Sequence, residues 1–169
     1  MTIDIDKLDF KRRLEFFAVK YFAEQLNKYF NRQLRFDSFA DPPEPDVYCF
    51  WENNRIGVEV AHLYGSERDA RMLFGKSKPE EKTKEHRIIH ALVPLNERVI
   101  SELNFILEKK AQKRYGDRTW LVIRNAYPIW YKEDFEFYKS DILLPNEHSF
   151  EEIWLLCDRD GSSGILQLY

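Results

Sequence analysis

Cysteine is scarce in this chain, and Cys49 and Cys157 share no short spacing of the kind a metal site uses. Both are expected to be reduced, buried thiols. Long apolar runs are missing too: none approaches the roughly 18–20 residues of a membrane span. The charged N-terminus lacks the apolar core of a signal peptide. Together these gaps point to a cytoplasmic protein with no membrane partner. No charge of one sign dominates either. The 26 basic and 29 acidic residues leave a net charge of −3, so nucleic-acid binding would have to rest on local patches. The histidines His62, His86, His90 and His148 lack zinc-site spacing and read as structural. Internal repeats and low-complexity segments are absent.

Aromatic residues, by contrast, are plentiful: thirteen Phe, nine Tyr and four Trp. The length suits one domain over residues 1–169 with a proper core. Residues 6–31 read as an amphipathic helix, with Phe10, Leu14, Phe17 and Tyr21 at helical spacing and Asp4 or Asp6 as its cap. A short strand at 33–37 leads into a loop with Pro42, Pro43 and Pro45, which stiffens the approach to Asp46. Strands at 46–52 and 55–62 form a hairpin around Asn53 and Asn54. Residues 63–87 are polar and basic. A second helix is expected over about 88–115, stopped by Gly116, then a strand at Trp120–Arg124. A short helix at 131–140, another turn of helix at 149–152, and strands at 153–157 and 164–168 complete the chain. This is an α/β pattern.

The hairpin carries the chemistry. Alternation puts Val47, Cys49, Trp51, Ile56, Val58 and Val60 on an apolar face, and Asp46, Tyr48, Phe50, Gly57, Glu59 and Ala61 on the other. With the turn at Asn53-Asn54, Tyr48 lies opposite Glu59. Asp46 and Glu59 are then diagonal neighbours roughly 7–8 Å apart at the backbone. Two carboxylates at that spacing can converge on one divalent cation. Tyr48 and Phe50 read as packing residues.

In order, the chain has a helix bearing a glutamate, a strand, Pro43-x-Pro45-Asp46-Val47, a hairpin, Ile56-Gly-Val-Glu-Val60, a helix with lysines and a Trp120-Leu-Val-Ile123 strand. This order resembles the PD-(D/E)XK nuclease superfamily over about residues 10–124. The resemblance implies a restriction-endonuclease-like fold, a mixed sheet flanked by helices in the order αβββαβ. It implies a Mg²⁺- or Mn²⁺-dependent nuclease acting on DNA and leaving 5′-phosphate ends. Asp46 and Glu59 would hold the metal with the Val60 carbonyl beside them, and Glu15 on the first helix would assist. The family's lysine position is occupied by Ala61, so the charge is expected from the second helix. Lys110 is the first choice because it shares a stripe with Leu103 and Ile106, and Lys113 on the same face is the second.

Plainer readings stand beside these. Asp46 also suits the start of a strand after prolines, and Lys110 also complements a helix C-terminus. The Ala61 substitution makes a degenerate nuclease fold, serving as a nucleic-acid or protein-binding module, the chief rival. Another rival is a nuclease within a larger assembly, with a homodimer interface among exposed aromatics such as Tyr127, Trp130 and Tyr131.

Overall fold

The computed structural model describes residues 3–64, 94–116 and 118–169. The basic stretch from 65 to 87, His86, His90 and the expected helix start near 88 lie outside them. The described chain builds a six-stranded mixed sheet in the sequential order β1 to β6, as expected for an α/β protein. Strands β1 (Leu34–Phe39), β2 (Val47–Trp51) and β3 (Asn54–Leu63) form an antiparallel meander. Helix α1 (Phe10–Phe30) precedes them, and α2 (Leu95–Ala111) separates β3 from β4 (Thr119–Asn125). β4 runs parallel to β3 and to β5 (Glu152–Leu156), while β6 (Ile165–Gln167) turns back antiparallel. The short α3 (Lys132–Phe137) lies between β4 and β5. Among the described residues, no helix is long and apolar enough to cross a membrane.

Each face of the sheet is covered by one long helix. Ala18, Val19, Phe22 and Leu26 of α1 pack on Val47, Cys49, Ile56, Val58, Val60, Trp120, Val122, Trp154 and Leu156. Val99, Ile100, Leu103 and Leu107 of α2 pack on Ala61, Leu63, Leu121, Ile123, Ile153 and Leu155. Strands β3 to β5 are thus apolar on both sides, as parallel strands under helices on both faces must be. The expected apolar face of the hairpin is the α1 face. Both cysteines are free and buried.

Several local expectations give way. Asp9, not Asp4 or Asp6, caps α1, its carboxylate accepting the Arg12 N–H at 2.8 Å. The helix buries Ala18, Val19, Phe22 and Leu26, whereas Phe10 is half exposed and Tyr21 sits on the flank. Alanine at the centre allows close approach to the sheet, which larger aromatics on the flank then seal. The hairpin turns at Glu52 and Asn53, both at positive φ (48° and 68°), so Trp51 pairs with Asn54. Asn54 stands just outside that turn and donates to the Glu52 carbonyl. Helix α2 ends at Ala111, short of Gly116. No helical turn forms at 149–152, because Glu151 N–H already donates to the Thr119 carbonyl and Glu152 begins β5. Trp130 is buried against Phe135 and Tyr138, so of the three aromatics expected at a dimer interface only Tyr131 is largely exposed.

Gly57 is required by closeness rather than by backbone conformation. A Cβ there would stand 2.5 Å from Pro45 Cγ and 2.9 Å from Thr119 Oγ1. Gly57→Ala is expected to destabilise the chain by about 1–3 kcal/mol through overpacking, read as a lower urea midpoint. An unchanged midpoint would refute the contact.

Candidate functional site

The site exists because β3 outruns β2. Their pairing ends with Val47 opposite Val58, and β3 continues to Leu63. Backbone groups alternate sides along a strand, so Val60 turns its N–H and C=O toward the side where β2 has stopped. Side chains take the place of the missing strand. Asp46 Oδ2 accepts the Val60 N–H at 2.9 Å, and Lys110 Nζ donates to the Val60 carbonyl at 3.1 Å. An open strand edge is thereby filled with an acid and a base.

Glu59 precedes this edge and is almost fully buried, at 1% exposure. Its Oε1 accepts from Lys110 Nζ at 2.5 Å and Lys113 Nζ at 2.6 Å, while Oε2 is buried without a hydrogen-bond partner. The turn at Glu52-Asn53 shifts the register by two residues from the expected one. Continued outward, it sets Asp46 directly opposite Glu59 rather than diagonal to it. A two-residue shift preserves the face, so both acids stay on the same side.

From the other layer, α1 delivers Glu15 and Lys11. Lys11 Nζ lies 2.8 Å from Glu15 Oε1 and 3.3 Å from Asp46 Oδ1, linking the two acids. Neither Glu15 oxygen has an aligned hydrogen-bond donor, and the side chain is buried. Burial pushes the Glu15 carboxyl up to about 7, against the pull of Lys11. Burial also acts to raise Asp46, but the Val60 N–H, Lys110 and Lys11 together hold it below the usual carboxylate range. Burial lowers Lys11, and its bonds to Glu15 and Asp46 more than reverse that. Three carboxylates thus face three ammonium groups.

The two lysines anticipated from helix spacing both reach Glu59, although Lys113 lies beyond the end of α2. Its neighbour Lys110 accepts backbone N–H groups from Gln112 and Lys113, which curls the chain back toward the sheet. Two further residues, Lys11 and Tyr115, belong to the cluster. Lys11 could have been found, being four residues before Glu15 on one helix. Tyr115 could not, since it follows the helix in irregular chain. Its hydroxyl is buried against Glu59 without a well-aligned hydrogen bond, and burial, then the close approach of the Glu59 carboxylate, hold its proton well above the usual phenol range. His62, beyond Val60 on β3, is lowered to about 3 by burial, Arg124 and Lys110, so it stays neutral.

Asp46, Glu15, the free Oε2 of Glu59 and the Val60 carbonyl are all hard oxygen donors, the set that suits Mg²⁺ or Mn²⁺. The unpaired Glu59 Oε2 makes the fit chemically sound. Among the described residues, however, no three His, Cys, Asp or Glu side chains are grouped as a ready cage. Lys11 and Lys110 occupy the space between the acids. Against protein-family models, curated proteins and solved structures, the chain finds no match.

Proposed function

We propose that this chain is a Mg²⁺- or Mn²⁺-dependent nuclease that hydrolyses DNA phosphodiester bonds on a restriction-endonuclease-like α/β scaffold. One observation carries the reading: Asp46, Glu59 and Lys110 meet around the Val60 peptide at an open strand edge. Asp46, Glu59 and the Val60 carbonyl would hold the cation, with Glu15 assisting from α1. The cation, when bound, supplies Lewis acidity toward a phosphoryl oxygen.

The remaining work falls to the chain's own groups. Lys110 holds its ammonium between Glu59 and Val60, where it can offset charge on the attacking water or the phosphate. Ala61, at the position where the resembled family has lysine, contributes no charge. Lys113 is half exposed and, among the described residues, its ammonium bonds Glu59 alone, so it adds orientation more than field. Lys11 keeps Asp46 and Glu15 from repelling each other until substrate and cation arrive.

The test is incubation of the pure protein with supercoiled and linear DNA in Mg²⁺ or Mn²⁺. Cleavage that EDTA abolishes is expected. Lys110→Met should slow it by about 10²–10³-fold, the loss typical of one preorganised charge partner, and Lys113→Met by about tenfold at most. Equal losses would remove the assigned difference between them.

A second reading, a degenerate nuclease fold that binds nucleic acid or protein, draws on Ala61 and on the two ammonium groups closing Glu59 Oε1. Tight DNA binding with no cleavage in either metal would favour it.

A further inference from the structure

Outside the acid–lysine cluster, Arg124 is a buried charge among the described residues. It stands at the end of β4 and is only 6% exposed. Its Nε donates to the Arg159 carbonyl at 2.7 Å, and Nη2 donates to the same oxygen. Among the described residues it has no carboxylate within ion-pair distance. Buried guanidinium groups are ordinarily paired with an anion, because the desolvated charge is otherwise costly.

Among the described residues, no neighbour supplies that anion within ion-pair distance. Tyr21 of α1 lies under it, ring centroid 5.5 Å away. His62 is its partner across the β3–β4 register, and His62 Nε2 is buried without a hydrogen-bond partner. Tyr64 and Arg159 also act on it electrostatically, as does Asp160. Asp160 Oδ1 is tied to the Ser162 N–H, and Asp158 Oδ2 to the Ser162 hydroxyl and the Ser163 N–H. Nη1, by contrast, makes no hydrogen bond to any described residue and is not sealed from solvent by them.

We propose that Arg124, with the buried His62 imidazole beside it, forms an oxyanion site for a phosphate group at the carboxyl ends of β3 and β4. Arginine pairs readily with phosphate, and Nη1 is open to donate to a phosphate oxygen while Nε and Nη2 stay on the Arg159 carbonyl. The carboxyl ends of parallel strands are where open α/β sheets place ligands. Strand geometry sets the Arg124 Cα about 8 Å from that of Val60, so this phosphate is a neighbour of the one at Asp46 and Glu59 and not the same group. The proposal deepens the nuclease reading by naming a second phosphate of the substrate, and it rests on that reading only for the source of the phosphate. A nucleic-acid strand and a free mononucleotide carry the same chemistry.

The experiment needs neither metal nor cleavage. Inorganic phosphate is titrated into the full chain in EDTA, with chloride at matched ionic strength as control, and binding is read by calorimetry and by melting temperature. Phosphate should bind and raise the melting temperature of the wild type. Arg124→Gln should weaken binding about tenfold or more, the value of a charge-assisted pair. Because the titration contains no metal and scores no cleavage, its failure is distinguishable from failure of the nuclease reading. Competition by a single-stranded oligonucleotide would assign the phosphate to a strand, and competition by a deoxynucleoside monophosphate alone to a free nucleotide. A wild type indifferent to phosphate, or an Arg124→Gln variant that binds it equally, overturns the proposal. Should that variant not fold, the guanidinium NMR signals of Arg124 in the wild type decide, and their indifference to phosphate overturns it too.

Discussion

Glu59→Gln is expected to lower metal-dependent DNA cleavage by at least about 100-fold while leaving the chain folded. Loss of a group that merely orients a metal ligand costs about 10–100-fold, and loss of a ligand should cost no less. Glutamine keeps the shape of the side chain and can still accept from one lysine, but it removes the charge that both ammonium groups and a cation share. Lys110 and Lys113 retain 19% and 50% side-chain exposure, so each can recover water when the carboxylate is gone. That access keeps the stability loss below the 3–5 kcal/mol of a fully buried broken pair. Glu59→Ala, which also opens a cavity, is the harsher variant and should melt lower than Glu59→Gln. Cleavage of supercoiled DNA, a Mn²⁺ titration and a thermal melt on the same samples read all three quantities. Nicking by Glu59→Gln at the wild-type rate would end the catalytic assignment.

This site was largely legible because a strand has a period of two. The turn formed one residue before Asn53 and Asn54, which moves the pairing by two, yet Asp46 and Glu59 stayed on one face, since an even shift of register cannot exchange faces. A slip of one residue would have separated them. The turn itself was harder to read, because Glu52 accepts a positive φ that residue preferences assign to asparagine. Lys110 followed from its distance along the helix to Leu103 and Ile106. Lys113 reached Glu59 for a different reason, the curl of the chain after Ala111, which no helical spacing describes.

Failures elsewhere share one cause. Trp130, Tyr115 and the 149–152 segment sit in irregular chain, where burial is decided by distant partners. Phe135 and Tyr138 cover Trp130, and Thr119 pairs with Glu151 before β5 begins. Arg124 was read as the last residue of a strand, and nothing in the sequence marked it as buried without a carboxylate.

Glu15→Gln should make the protein melt higher than the wild type at pH 8 and flatten the pH dependence of its stability between about pH 5 and 8. In the folded chain Glu15 keeps its proton up to about pH 7, whereas an ordinary glutamate releases it near 4.5. Between those values the native state binds the extra proton, so stability falls as pH rises, by up to about 3 kcal/mol over the window. The contribution is complete below the ordinary value and gone above pH 7. Asp46 works in the opposite sense: held below its ordinary 3.8, it stabilises above that pH and loses the effect in stronger acid, outside the window. Lys11, 2.8 Å from Glu15 and, against its burial, raised above its ordinary value by that bond and by Asp46, keeps its charge throughout. If a divalent cation takes Glu15 as a ligand, it must displace that proton, so binding at pH 6 should release about one proton and binding at pH 8 almost none. Calorimetry in buffers of different ionisation heat measures the release. Glu15→Gln should abolish the difference between the two pH values; a variant that still releases a proton at pH 6 would place the titrating group elsewhere and remove Glu15 from the metal site.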